Sequence, residues 1–232
     1  MHPESDRLLD RVGAVAGVAS VVLLALFFTV LPSLPEPTAS AGELARGAKA
    51  DETGLLVGAY VGTLLGVSLI VFGACVAAML RRAEGDSGGW WIVALAGIAA
   101  TSIGIVGDAL LASFVRAVGH GASGDSLWLG YGQDHVLGVL VAAPIAVFLL
   151  GVGLGGRATR ALPRWLVAVA LAVSAAFLVG TASITGDEVD GGPLGVPLVL
   201  GYVALILWIL AVSVRLWRGQ RSVASAPEAI TA

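Results

Sequence analysis

Six long apolar stretches limit what this chain can fold into more than any other feature of the sequence. They run over residues 12–31, 55–80, 90–115, 136–154, 165–184 and 196–217. Crossing about 30 Å of hydrocarbon takes about 20 helical residues at about 1.5 Å each. Lipid gives the backbone no hydrogen-bond partner, and uninterrupted apolar runs do not fit a closed β-barrel. The sequence therefore predicts an all-α, polytopic transmembrane bundle of six helices forming a single integral membrane domain.

The composition supports a lipid bilayer as the main partner of the chain. Of 232 residues, 57% are hydrophobic and 12% are charged, which is too apolar for an ordinary soluble domain. The net charge of -3 gives no indication of a nucleic-acid partner. The preference for arginine over lysine, with abundant alanine, glycine and valine, resembles the coding bias of a high-GC bacterium, so we expect a multi-pass protein of the bacterial plasma (inner) membrane.

Basic residues are concentrated in alternate gaps between the stretches, and this predicts the orientation of the chain. One set of gaps contains Arg7, Arg11, Arg81, Arg82, Arg157, Arg160, Arg164, Arg215, Arg218 and Arg221. The other gaps contain Arg46, Lys49 and Arg116 and are rich in acids. By the positive-inside rule, both termini are cytoplasmic. Residues 218–232 are then expected to form a flexible cytoplasmic tail.

The segment after the first stretch allows two interpretations. Ala39–Ala41 satisfies the small-residue pattern of a signal cleavage site, and cleavage there would leave five helices with the mature amino terminus outside. The acidic amino-terminal region and the long apolar core are atypical of a signal peptide, which favours retention of the first helix. Residues 43–51 also have the pattern of a short surface helix, although Gly42 and Gly47 weaken it.

Four glycines recur at every fourth position of the second stretch and are expected to form a helix-packing face. They are Gly54, Gly58, Gly62 and Gly66. This spacing places them on one side of a helix and lets another helix approach closely. The partner is either another helix of the same chain or a second membrane protein, including a second copy. Gly13 and Gly17 in the first stretch are candidates for the facing surface.

Asp108 is the one acid well inside an apolar stretch, and we predict an intramembrane polar site around it. It shares a helical face with Gly97, Thr101 and Gly104. An ionised acid facing lipid is costly, so Asp108 should face the bundle interior, a water-filled cavity or a partner. One interpretation is that Asp108 takes part in a proton-coupled step. The other is structural, with Asp108 bonded to a neighbouring helix or to Arg116, which lies two turns further along the same face.

His135 is a second polar candidate, at the start of the fourth stretch. A histidine can shuttle protons or bind a metal, but Asp134 and His135 point in different directions on a helix and no further ligands converge on them. Capping of the helix by Asp134 is the simpler expectation.

Cys75 is the single cysteine and no pair of helix-embedded histidines exists, so the sequence predicts no metal and no cofactor. Pro144 should bend the fourth helix and free the carbonyl of Leu140.

Known catalytic patterns are missing from the sequence. Its glycines match neither a phosphate-binding loop nor a dinucleotide fingerprint, and no zinc-protease or serine-hydrolase motif occurs, so no catalytic residue is predicted. The leading hypothesis is a small-solute or ion permease, or an accessory subunit of one, with Asp108 as its polar site. The alternative is a non-catalytic scaffold or sensor that associates through the glycine face. A third hypothesis, a membrane enzyme, would use Asp108 with His135.

Short motifs near the ends of the last helices carry a resemblance to a known group of proteins. They are Leu162-Pro163-Arg164-Trp165-Leu166, Leu207-Trp208 and Val214-Arg215-Leu216. Over residues 135–217 the chain resembles six-helix integral membrane proteins of actinobacteria that have no assigned activity. The resemblance implies the fold and the bacterial membrane, and it carries over no functional residue.

Overall fold

The predicted fold class is confirmed by a computed structural model that describes residues 3–31, 40–85, 88–122, 133, 136–182 and 195–224. Within these residues, six helices are long and apolar enough to cross a membrane, and no strand is present. The spans agree with the six apolar stretches of the sequence. The structure therefore describes a helical membrane bundle.

Eight helices are described in this part of the chain. They are α1 (Pro3–Val30), α2 (Ala41–Ala50), α3 (Glu52–Glu84), α4 (Trp90–Ala100), α5 (Ser102–Gly119), α6 (Ala142–Thr159), α7 (Arg164–Thr181) and α8 (Gly195–Ala224). The α4 and α5 helices together form the third crossing, and helical residues 136–140 precede α6 in the fourth. Because α8 continues to Ala224, the first part of the predicted flexible tail is helical. The rest of that tail, residues 225–232, lies outside the described residues.

The bundle is organised around α3, which contacts α1, α4, α5 and α6. On the other side, α6 contacts α7, α7 contacts α8, and α8 returns to α1. Asp10 of α1 and Arg218 of α8 line one groove, so α1 begins and α8 ends at the same end of the bundle. We call this end the terminal face.

An aromatic cluster around Trp208 forms the core on the side of the terminal face. Trp208 is 1% exposed, and its indole packs edge-on against Phe72 and Phe148 at centroid distances of 6.2 and 6.1 Å. The indole Nε1 donates to the carbonyl of Leu166 at 3.0 Å, which satisfies the one polar atom of this side chain. Because the four residues come from α8, α3, α6 and α7, the cluster fixes four helices to one another.

The short surface helix expected after the first stretch is confirmed as α2. Ser40 accepts from the backbone N–H of Glu43, and the Glu43 carboxylate accepts from the backbone N–H of Ser40 at 2.9 Å, which forms a capping box. Leu44 and Ala48, four residues apart, are fully buried against a cluster that includes Leu55. The cap and this apolar side outweigh the two glycines that weaken the helix.

Candidate functional site

A cavity of about 550 Å³ lies between the helices on the side of the bundle away from the terminal face. Its walls are mostly apolar and come from α1, α3, α5, the α6 crossing and α8. The side chains with polar atoms that line it are Ser20, Thr101, Asp108 and Tyr202. Among the described residues, Asp108 is the only charged one in this lining.

The Asp108 carboxyl group lies directly against the backbone of α3 at Gly62. A Cβ atom placed on Gly62 would be 2.8 Å from Asp108 Oδ2 and from Asp108 Cγ, and still nearer to Oδ1. A side chain at this position would force the Asp108 carboxyl group or a helix to shift, so the glycine allows α5 to bring its acid close to α3 at this level. Asp108 is half-buried as a result and borders the cavity.

Thr101 interrupts the third crossing next to the cavity. Its backbone N–H bonds to the carbonyl of Ile98 at 3.2 Å, and the N–H of Gly104 bonds to the carbonyl of Thr101 at 2.9 Å. Both bonds span three residues, so the helix is locally tightened. The Thr101 hydroxyl donates to the same Ile98 carbonyl at 2.6 Å, a side-chain bond that competes with the regular helical ladder. Thr101 is buried at this interruption.

The fourth crossing is interrupted at Val141, three residues before Pro144, as expected for a proline that clashes with the turn before it. The next bond, from Ile145 N–H to the Val141 carbonyl, is long at 3.4 Å. This interruption contacts the one at Thr101. A Cβ on Gly97 would be 2.9 Å from the Pro144 carbonyl oxygen, and one on Gly104 would be 3.1 Å from Val141 Cγ2. Two irregular helical segments therefore meet at one level of the bundle and border the cavity together.

Hydroxyl groups join α1 and α3 at the edge of the cavity. Ser68 donates to the carbonyl of Ala16 at 2.8 Å. The Ser20 hydroxyl lies 2.8 Å from the same carbonyl and 3.1 Å from Ser68 Oγ. Sequence reasoning did not select Ser20, although its spacing after Gly13 and Gly17 places all three on one helical face. Tyr202 was missed as well, because no pattern distinguishes it from the apolar residues of α8.

An apolar layer separates the cavity from the terminal face. Phe72, Ile98 and Phe148 are at most 2% exposed, and they come from α3, α4 and α6. With neighbouring cavity residues they enclose a space of about 10 Å³, at the lower limit of what one water molecule needs. Ile98 packs against Gly73, and the Trp208 indole packs against the rings of Phe72 and Phe148. These side chains therefore leave little space between them.

The glycine face of α3 is covered by helices of the same chain. A Cβ on Gly58 would be 2.6 Å from Leu31 Cδ1, and one on Gly66 would be 2.7 Å from Ile105 Cγ1. Gly62, between them, lies against Asp108 as described above. Gly54 is half-buried near the start of α3. The glycines of α1, which were candidates for the facing surface, do not lie against this face. Those glycines meet other residues, since Gly13 packs against Cys75 of α3 and Leu216 of α8, while Gly17 packs against Phe72 of α3 and Ser213 of α8.

The remaining predicted site residues are separated from this cavity or are not described. Arg116 is exposed, and the ion pairs that join described residues both use Arg82, so the pairing of Arg116 with Asp108 is not observed. His135 and Asp134 lie outside the described residues. In the described part of the chain, no three His, Cys, Asp or Glu side chains are grouped as a metal site would need.

Comparisons with family models, curated proteins and solved structures gave no match to this chain. The functional interpretation therefore depends on the cavity itself. The described part of the cavity lining offers one carboxyl group, three hydroxyl-bearing side chains and an apolar wall. Such a lining can bind a small solute with a polar or cationic head group and an apolar body.

Proposed function

We propose that this protein is a permease for a small solute or ion, or a subunit of one, with the Asp108 cavity as its binding site. The observation that carries the proposal is a membrane-interior carboxyl group lining a cavity where two interrupted helices meet. Transporters commonly place their substrate sites near the membrane midplane at discontinuous helices. Intramembrane acids also mark ion and substrate pathways.

The charge of the lining favours a cation. Asp108 is the only ionisable carboxyl group among the described lining residues, and no described basic residue lines the cavity. The apolar wall would accept the hydrocarbon part of a protonated amine, and the 550 Å³ volume lies within the range of small-molecule sites. Protons and small monovalent cations fit the same carboxylate.

The apolar layer below the cavity supports a gated pathway. Hydrophobic constrictions close pores by excluding water, and Phe72, Ile98 and Phe148 form such a constriction toward the terminal face. Transport would require these side chains to separate, and the interruption at Thr101 lies three residues from Ile98. Tightened turns within a helix frequently mark hinges. In this proposal, the structure is a state closed on the terminal side.

The experiment compares flux in proteoliposomes containing wild-type protein or the Asp108→Asn variant. Two probes are used, proton flux reported by an internal pH dye and uptake of the fluorescent cation ethidium, each driven by a membrane potential. We expect Asp108→Asn to reduce flux of at least one probe about tenfold, because a hydrogen bond to a charged group contributes about 1.5 kcal/mol or more. Asp51→Asn is the matched control, since Asp51 is an exposed acid beside α2.

Equal flux through wild-type protein, Asp108→Asn and protein-free vesicles would reject the proposal for these cations. Glycerol uptake, followed by vesicle swelling, tests the neutral-solute form of the permease. Loss of flux in Asp108→Asn together with loss of the folded protein would identify a structural acid instead. Thermal unfolding of each purified variant therefore accompanies every flux measurement.

The scaffold or sensor function receives less support. It needs the glycine face of α3 to be accessible to a partner, whereas Gly58, Gly62 and Gly66 contact Leu31, Asp108 and Ile105 of the same chain. The bacterial inner membrane remains part of the proposal, as does kinship with actinobacterial six-helix proteins.

A further inference from the structure

A second cavity, distinct from the Asp108 site, forms a groove of about 910 Å³ at the terminal face. It lies between α8, the start of α7 and the loop that joins α6 to α7, with Asp10 and Met79 at its edge. Its volume is at the upper end of the range for small-molecule sites. The question is which molecule from the surroundings fits it.

Two arginines of α8 give the groove its charge. Arg215 and Arg218 line it and are both exposed. Arg215 donates from Nη2 to the carbonyl of Ala161 at 2.8 Å, which holds its guanidinium against the α6–α7 loop. A guanidinium has five N–H donors, so this bond leaves others to bind an anion. Neither arginine forms an ion pair with a carboxylate among the described residues.

The acid at the edge of the groove already has a cationic partner. Asp10 pairs with Nη2 of Arg82, whose Nη1 lies 3.3 Å from Asp6 Oδ1. The groove is lined by two arginines, Arg215 and Arg218, and by one acid, Asp10, which already pairs with Arg82. The groove therefore presents net positive charge and favours an anionic occupant.

The rest of the groove is apolar and lies at the edge of the membrane-crossing part. Leu210, Ala211 and Val214 form its wall along α8, within the span that is apolar enough to cross a membrane. Trp165 borders it on α7 and is 58% exposed, which suits an indole in the headgroup zone of a bilayer. Positive charge at one end and an apolar wall running toward the lipid match the two parts of a phospholipid.

We propose that this groove is a binding site for an anionic phospholipid of the leaflet at the terminal face. The lipid phosphate binds Arg215 and Arg218, and an acyl chain lies along Leu210, Ala211 and Val214 beside Trp165. Basic pockets between transmembrane helices are a known means of binding anionic head groups. This proposal does not depend on transport through the Asp108 cavity.

The test measures retained lipids by native mass spectrometry after the full-length chain is released from vesicles of phosphatidylcholine and phosphatidylglycerol. Wild-type protein should retain phosphatidylglycerol in preference to phosphatidylcholine. Arg218→Gln should reduce this preference about fivefold, the effect of one basic residue near an anionic surface, while the Arg215 bond to Ala161 remains. Arg157→Gln is the matched control, an exposed arginine of the α6 end that does not line the groove.

A second variant separates the groove from general surface charge. Val214→Phe keeps every charge but fills the apolar wall, and it should also reduce phosphatidylglycerol retention. An equal loss in Arg157→Gln, or an unchanged preference in Arg218→Gln, would overturn the site. Retention unaffected by Val214→Phe would overturn the acyl-chain placement. Displacement by inorganic phosphate as efficient as by added phosphatidylglycerol would show a simple anion site and overturn the lipid proposal.

Discussion

Gly62 and Asp108 form a close contact between α3 and α5 at the border of the candidate site. Alanine is usually better than glycine in a helix by about 1 kcal/mol. At Gly62 the added methyl group would lie within 2.8 Å of three atoms of the Asp108 carboxyl group. The acid or one of the two helices must then move, and overpacking of this kind costs about 1–3 kcal/mol.

We predict that Gly62→Ala destabilises the folded protein, measured as a lower thermal unfolding midpoint in detergent. Gly42→Ala is the control, because nothing lies within 4 Å of a Cβ at that exposed position of α2 and the helix should gain stability. In the double variant Gly62→Ala with Asp108→Ala, the clash is removed and the two effects should be non-additive. A Gly62→Ala protein as stable as wild type would contradict this contact.

At this scale, the sequence predicts which residues matter better than it predicts their partners. The four-residue spacing predicted the packing face that contains Gly58, Gly62 and Gly66. The cost of a charge in lipid predicted that the Asp108 side chain points away from the lipid. Spacing along one helix carries no information about which other helix covers it. For this reason the spacing alone cannot decide which surface the glycines of α1 contact.

Among the elements, α2 is the one whose stability depends most on its cap. It has only ten residues, which is too short for a stable isolated helix. The hydroxyl of Ser40 bonds to the Glu43 carboxylate at 2.7 Å, and this bond, with the backbone bond from Ser40, lowers the pKa of Glu43 from its ordinary value of 4.5. A carboxyl group whose pKa is lowered by folding stabilises the folded state only while it is ionised.

We predict that Ser40→Ala weakens α2 by about 1 kcal/mol, seen as faster hydrogen exchange at its first amides. In wild-type protein the stabilisation by Glu43 is complete above pH 4.5 and is lost as the pH falls through the lowered pKa of the folded state. After correction for the intrinsic pH dependence of amide exchange, the protection factors of α2 should therefore fall in acid in wild type and change less in Ser40→Ala. Ser113→Ala, which removes an exposed hydroxyl bonded within α5, should leave α2 unchanged.

The number and approximate limits of the crossings follow from the sequence because length and apolar content decide them. The interruption near Pro144 also follows, from the missing N–H of proline. The interruption at Thr101 does not, because it depends on whether a hydroxyl bonds to the Ile98 carbonyl or to a neighbouring helix. Both choices are open to a threonine in an apolar helix.

At the scale of the whole molecule, the packing density of side chains changes along the direction in which the helices cross the membrane. The part near the terminal face contains the Trp208 cluster and the apolar layer, whereas the cavity lies in the other part. The apolar stretches run through both parts, so the sequence does not predict this difference. It results from where glycines allow close approach and where the two interrupted helices leave space.

Orientation is tested by labelling single cysteines with a membrane-impermeant maleimide in intact cells. Cys75 is 4% exposed, so the wild-type chain should not react and Cys75→Ser provides the background. By the positive-inside rule, Lys49→Cys at the end of α2 should be labelled from outside and Ser5→Cys in α1 should be protected. The reverse pattern would place the terminal face outside the cell.

Neighbouring helices of unequal length have a mechanical consequence for the surrounding membrane. The apolar span of α7 has 18 residues and is about 27 Å long, whereas that of α8 has 23 residues and is about 35 Å long. Arg215 of α8 meets Ala161, so the nine residues from 216 to 224 extend about 13 Å beyond that contact. Hydrophobic mismatch costs a fraction of a kcal/mol per Å, so a thicker bilayer would strain the α7 side first. A change in bilayer thickness should therefore affect the α7 side of the molecule more than the α8 side.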